Sequence, residues 1–165
     1  AAEILIETYS EKFSIDYTLL RYGSLYGPRA QSWNGLQKYV EQVVRTGSLT
    51  YTGTGKEKRE YIHVMDAARL TVDILDEMYK NRAITVTGQQ VLNSRELIDL
   101  IFEISGVQPN VVFKEKKHND DHYTLTPYRY VPKPSKKLVP GEFIDLAQGV
   151  FDIVREMHEK TQKNE

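Results

Sequence analysis

The sequence contains no cysteine, which excludes disulfides, thiolate metal ligands and cysteine nucleophiles and is compatible with a reducing, cytoplasmic setting. It also lacks a charge surplus of either sign, with 22 Lys and Arg against 23 Asp and Glu and a net charge of -1. No global field therefore draws the chain to nucleic acid or to an anionic membrane, and any anion site has to be local. No apolar run has the length of a membrane span. The opening residues, Ala-Ala-Glu-Ile-Leu-Ile-Glu-Thr-Tyr, carry acids where a targeting leader carries cations. Neither nucleic acid nor a membrane is expected as a partner. Internal repeats and low-complexity tracts are missing as well. What is there, 165 residues with 40% hydrophobic content, is expected to form one domain that buries about two thirds of its unfolded surface.

The apolar pattern alternates between helical and strand-like periods, giving an α/β chain of mixed short strands and helices. Residues 2–13 carry Ile4, Leu5, Ile6, Tyr9 and Phe13 at helical spacing, with no capping Ser, Thr, Asp or Asn before them. That helix is expected to continue upstream of Ala1, a first hint of a fragment. Strands are expected at residues 17–21, 49–52, 61–64, 83–87 and 111–113. Asn34 and Gly47 bracket a helix over 35–46, and Asp66 is expected to start one that runs to about Tyr79. Asn93 with Glu96 forms a capping box for a helix from Ser94 to Ser105, closed by Gly106. Residues 114–140, with Pro127, Pro132, Pro134 and Pro140, read as an irregular loop. An amphipathic helix is expected over 143–160.

The stretch from Gly53 to Asp66 is the densest in chemistry, a glycine turn, a basic cluster of Lys56, Lys58 and Arg59, and a short strand. It is not a phosphate loop, because Thr50 and Glu57 stand where that motif needs Gly and Ser or Thr. Nor is it a dinucleotide fingerprint, whose third glycine would be Lys58. His118-Asn-Asp-Asp-His122 holds metal-type donors but reads as a solvated loop, and His63 reads as a hydrogen-bonded structural histidine. Gly23-Ser24-Leu25 lacks the frame of a nucleophile elbow.

Arg21-Tyr-Gly-Ser-Leu-Tyr-Gly-Pro28, Leu49-Thr-Tyr-Thr-Gly53 and Arg59-Glu-Tyr-Ile-His-Val-Met-Asp66 together carry a more specific signal. In order and spacing they resemble the extended short-chain dehydrogenase/reductase family, the NAD-dependent nucleotide-sugar epimerases and dehydratases. Ala1-Ala-Glu3 is similar to the residues that follow that family's catalytic Tyr-x-x-x-Lys. The resemblance therefore implies the C-terminal substrate-binding half of an extended Rossmann-type epimerase, lacking its N-terminal dinucleotide-binding half. Residues 1–165 would be one substrate-binding domain, with 1–30 the tail end of the Rossmann part. No catalytic residue is expected within the chain, the Tyr and Lys lying upstream of Ala1, so the chain alone is expected to be inactive.

Further roles follow from the same resemblance. The intact enzyme would use NAD to oxidise a nucleoside diphosphate sugar, in a setting of bacterial surface-polysaccharide synthesis. Arg59 would contact the diphosphate, a role suited to a guanidinium fork; the alternative is an ion pair with Glu57 or Glu60. Asn34 would meet the phosphates, and Thr50 and Thr52 would bracket the pyrimidine. Thr52 replaces a stacking aromatic, while Tyr51 is expected on the opposite face of its strand. Ser24 stands for the family's Asn, with a shorter reach to sugar or phosphate. Tyr22 and Gly23 would approach the nicotinamide. The alternative reading is a non-catalytic binding domain derived from that family. A homo-oligomer through the N-terminal helix region is expected, since that helix would otherwise leave Ile4, Leu5 and Tyr9 bare.

Overall fold

The computed structural model describes residues 2–115 and 134–162, with the side chains of 161 and 162 outside the description. The two histidines at 118 and 122 and the segment 122–128 lie outside the described residues. Five helices and eight strands follow one another among the described residues: α1 (Ala2–Phe13), β1 (Thr18–Tyr22), β2 (Ser24–Tyr26), α2 (Gly35–Thr46), β3 (Leu49–Thr52), β4 (Lys58–His63), α3 (Val64–Asp73), β5 (Arg82–Val86), β6 (Val91–Asn93), α4 (Ser94–Ser105), β7 (Val111–Lys114), β8 (Lys136–Leu138) and α5 (Leu146–Gln162). The α/β character is as the periodicity implied.

The strands form three small sheets. In the first, ordered β1-β5-β8, all neighbours are parallel, and β1 lies at its edge. In the second, β4 is central, with β2 parallel on one side and β6 antiparallel on the other. The third is the parallel pair β3 and β7. Two apolar cores organise them. The larger gathers α2, α4 and α5 over Tyr26, Leu49 and Tyr51, with Val40, Val43, Ile101, Val150 and Ile153 fully buried. The smaller packs Ala67, Leu70 and Ile74 of the α3 region on Ile62, Ile84 and Val86. Such burial is worth about 1.5–3 kcal/mol per large aliphatic side chain and is what holds these short elements in place.

The helix α1 stands apart from both cores, since it buries no residue. Leu5, Tyr9 and Ile15 are more than half exposed and line an apolar hollow of about 570 Å³. Its link to the sheet is polar: Arg21 of β1 donates from Nε and Nη2 to the two carboxylate oxygens of Glu3, at 2.8 and 2.7 Å. This bidentate, half-buried pair fixes the helix direction more than its stability.

Several boundaries differ from the sequence expectation. The fourth strand starts at Lys58 instead of 61, because residues 58–60 are paired with β6, a three-residue strand with no period of its own. The short strands β2 and β8 were not expected, and β8 falls inside the stretch read as irregular. The helix α3 begins at Val64, not Asp66. His63 caps it, its Nδ1 accepting the Met65 N–H at 3.2 Å, so Asp66 is the third residue of the first turn and serves a different purpose. It ends at Asp73 because Asp76 captures the Met78 N–H and starts a separate 3-10 turn, Glu77–Tyr79. The last helix starts at Leu146 instead of 143, since Asp145 accepts the Ala147 N–H at its N-terminus. The caps at Asn34, Gly47, Asn93 with Glu96, and Gly106 are as expected.

Candidate functional site

The central strand β4 sets the site. Side chains alternate along a strand, so Arg59 and Tyr61 share one face while Lys58 and Glu60 take the other. On that other face Glu60 accepts from Lys137 Nζ at 2.6 Å, and this ion pair holds the Glu60 carboxyl below its ordinary range. Glu57 is likewise engaged, by Thr54 N–H at 2.7 Å and Gly55 N–H at 2.9 Å. Among the described residues neither carboxylate pairs with Arg59, so the rim ion pair weighed as an alternative is not formed.

Arg59 and Tyr61 face an open groove of about 1000 Å³. Its walls come from four directions: Ser24 on β2, the start of α2 from Asn34 to Tyr39, Tyr51 on β3, and Ser94 at the start of α4. The pairing of Ser24 with Tyr61 in the parallel β2 and β4 ladder fixes Ser24 beside the same strand. The Tyr51 hydroxyl lies 2.7 Å from Ser94 Oγ and 3.0 Å from Glu57 Oε2, which ties β3 to α4 across the groove floor. Tyr39 packs on Tyr51 with ring centroids 5.7 Å apart.

The electrostatics of the groove are set by burial and by Arg59. Burial pushes the Tyr61 hydroxyl up to about 12, against the opposing pull of the nearby Arg59 guanidinium. Burial also raises Tyr39 and Tyr51, with Arg59 again acting in the opposite direction. At neutral pH the described residues of the groove thus offer one guanidinium and a set of neutral hydroxyls. That combination suits an anion with several oxygens. Among the described residues no group of three His, Asp or Glu is placed to hold a metal ion, and no helix is long and apolar enough to cross a membrane.

The sequence-derived residues divide. Arg59, Ser24, Asn34 and Gly23 come together in the groove. The Asn34 side chain is already engaged, with Nδ2 donating to Leu25 O at 2.9 Å and Oδ1 accepting the Gln37 N–H at 3.1 Å, so it builds the wall. Gly23 is closed in, since a Cβ there would lie 2.5 Å from Thr87 Oγ1 and 2.9 Å from Glu60 O. Tyr22 is not brought to the groove, and its hydroxyl is 2.7 Å from Thr71 Oγ1. Thr50 and Thr52 occupy the exposed face of β3, while Tyr51, on the buried face, is the residue that lines the groove. The faces were assigned correctly from the strand period; which face meets the groove depends on α2 and α4 packing over β3. Trp33, Tyr39, Tyr61 and Ser94 were not assigned to the site from sequence, and Tyr51 was expected to face away from the ligand. For Tyr61 the signal was present, since it stands two residues after Arg59 on one strand.

Comparison with known proteins gives consistent matches. Residues 1–87 match the model of the NAD dependent epimerase/dehydratase family. A putative UDP-glucose 4-epimerase of Methanocaldococcus jannaschii is 24% identical over 159 residues, covering 94% of this chain and 50% of the relative. The fold is shared with the UDP-glucose 4-epimerase of Thermotoga maritima, solved with UDP-glucose, at a TM-score of 0.74 and 20% identity over 96% of this chain and 51% of that one. It is also shared with the UDP-glucuronic acid 4-epimerase of Bacillus cereus, solved with a fluorinated UDP-glucuronic acid and NAD, at a TM-score of 0.76 and 20% identity over 96% and 50%. The chain spans half or less of the length of the curated relatives it matches.

Proposed function

The chain belongs to the NAD dependent epimerase/dehydratase family, and from that membership we propose that it is the nucleotide-sugar-binding part of an NAD-dependent enzyme acting on nucleoside diphosphate sugars. The observation that carries the reading is Arg59. It is an exposed guanidinium on a central strand, with no carboxylate partner among the described residues, facing a groove of neutral hydroxyls. A diphosphate supplies what that groove lacks, negative charge spread over several acceptor oxygens. Ser24, beside Tyr61 in the ladder, is within the same groove for a sugar hydroxyl or a phosphate oxygen. Asn34 contributes by shaping the wall, its side chain being spent on Leu25 and Gln37.

The residues of this chain do not by themselves fit a resident NAD. No glycine fingerprint follows a strand, and the Tyr22 hydroxyl is engaged with Thr71. In this reading the dinucleotide site and the catalytic Tyr and Lys belong to a preceding half of the protein. Residues 1–165 are then the C-terminal substrate domain, 1–30 the end of the Rossmann part, and the chain alone is inactive. The absence of any Tyr-x-x-x-Lys within the sequence agrees with this, and equally with a binding domain that has lost the chemistry. The polysaccharide setting rests on the motif resemblance alone.

Calorimetric titration of UDP into the chain tests the binding reading. Arg59→Ala is expected to weaken UDP by about 1–3 kcal/mol, the scale of a charge-assisted contact. An unchanged affinity rejects Arg59 as the diphosphate ligand.

A further inference from the structure

We propose that Trp33 is the platform on which the base of the bound nucleoside diphosphate stacks; this rests on the nucleotide-binding reading above and adds the residue that holds the base. Trp33 is the single tryptophan of the chain and is 74% exposed. Its backbone is nevertheless pinned. The Asn34 N–H donates to Gln31 O at 2.8 Å, closing a turn around Trp33, and the Asn34 side chain is fixed to Leu25 and Gln37 on the far side. Upstream, the Arg29 N–H donates to Glu156 Oε2 of α5 at 2.8 Å. The indole is thus a large flat ring on a fixed loop, at the rim of the groove that holds Arg59.

The other rings of the groove are already packed. Tyr51 lies between Tyr39 and Phe113, at centroid distances of 5.7 and 5.9 Å, and Tyr61 meets Tyr26 edge-on at 6.4 Å. On β3, Thr50 and Thr52 offer no ring and lie on the exposed face. Among the described residues, Trp33 alone of the groove aromatics presents a ring largely in solvent. A nucleobase is the part of a nucleoside diphosphate that matches it, being planar, weakly hydrated on its faces and joined to the anion that Arg59 attracts. Stacking of this kind uses the π face alone and does not read the edge of the base.

The single tryptophan is its own reporter. UDP is titrated into the full chain while indole emission is followed, with pyrophosphate as the control and calorimetry in parallel. The expected result is a saturable emission change at the calorimetric Kd for UDP and none for pyrophosphate. Trp33→Ala is expected to weaken UDP about tenfold while holding pyrophosphate within about twofold, and Trp33→Phe to retain most of the affinity. Circular dichroism confirms that each variant is folded. Unchanged emission at UDP concentrations that calorimetry finds saturating, or wild-type UDP affinity in Trp33→Ala, overturns the stacking role and leaves the nucleotide reading standing. An indole already shielded from acrylamide in the free protein overturns it too. No heat of UDP binding at all overturns both together.

Discussion

Replacing Asp66 by alanine removes the carboxylate that joins two elements behind the strand carrying Arg59. Asp66 is 1% exposed, at the third position of α3. Its Oδ2 accepts the Ile144 N–H at 2.8 Å, and its Oδ1 meets Arg69 Nη1 at 3.3 Å. The first contact is a hydrogen bond to an ionised acceptor, worth about 1.5–3 kcal/mol, and its loss leaves a partly buried amide without a partner. The negative charge near a helix N-terminus adds about 0.3–1 kcal/mol. The Arg69 pair adds little, because that guanidinium is largely exposed and screened. Asp66→Ala is therefore expected to lower stability by about 2–4 kcal/mol in urea unfolding, with an unchanged m-value. Asp66→Asn keeps the acceptor and loses the charge, and should lose about 1 kcal/mol. Arg69→Ala should lose under about 1 kcal/mol. A change below about 0.5 kcal/mol for Asp66→Ala would refute the reasoning. Equal losses for Asn and Ala would transfer the effect from the hydrogen bond to the charge.

His63 is 5% exposed, and burial holds its pKa below the ordinary 6.5, with Asp66 and Asp152 pulling it upward and Arg69 downward. The unfolded chain then takes up a proton before the folded one, so stability is expected to fall as pH drops below 6.5, until the folded histidine also charges. His63→Asn keeps a capping side chain and should flatten that part of the pH profile; a slope that persists unchanged would assign it to other groups. The bare apolar side of α1 is expected to make the chain self-associate in dilute solution, and a Leu5→Glu, Tyr9→Glu double variant to reverse it. Sedimentation that finds the parent chain a monomer would contradict this.

What could be read from sequence was what local chemistry decides. Asn34, Gly47, Asn93 with Glu96 and Gly106 mark helix ends by side-chain hydrogen bonds and backbone freedom confined to a few residues, and these boundaries agree with the structure. Contacts between distant segments decided the rest. Val91–Asn93 and Lys136–Leu138 become strands only because β4 and β5 are there to pair with them. Asp66 looked like a cap because it is an acid at a helix start. The partner that makes it buried, Ile144, is 78 residues away. The same limit explains the site. The motif identified Arg59 and Ser24, but Tyr39, Tyr51 and Ser94 reach the groove from three elements whose meeting no spacing encodes.

The glycine turn before β4 acquires its purpose from this arrangement. Gly53 and Gly55 adopt φ of 141° and 81°, conformations that L side chains rarely take, and Glu57 closes the turn they make. Burial works to raise the Glu57 carboxyl, but hydrogen bonds from Thr54 N–H, Thr54 Oγ1 and the Tyr51 hydroxyl hold it down at about 2. It therefore stays ionised, and the clasp stays closed, through the neutral range. The clasp fixes where β4 begins. Side chains alternate along a strand, so a slip of one residue would turn Arg59 toward Lys137 and bring Glu60 into the groove, replacing the cation with an acid. A turn with two of the glycines of a phosphate loop thus spends its backbone amides on a carboxylate of the chain itself, and that bond sets the register that points Arg59 into the groove.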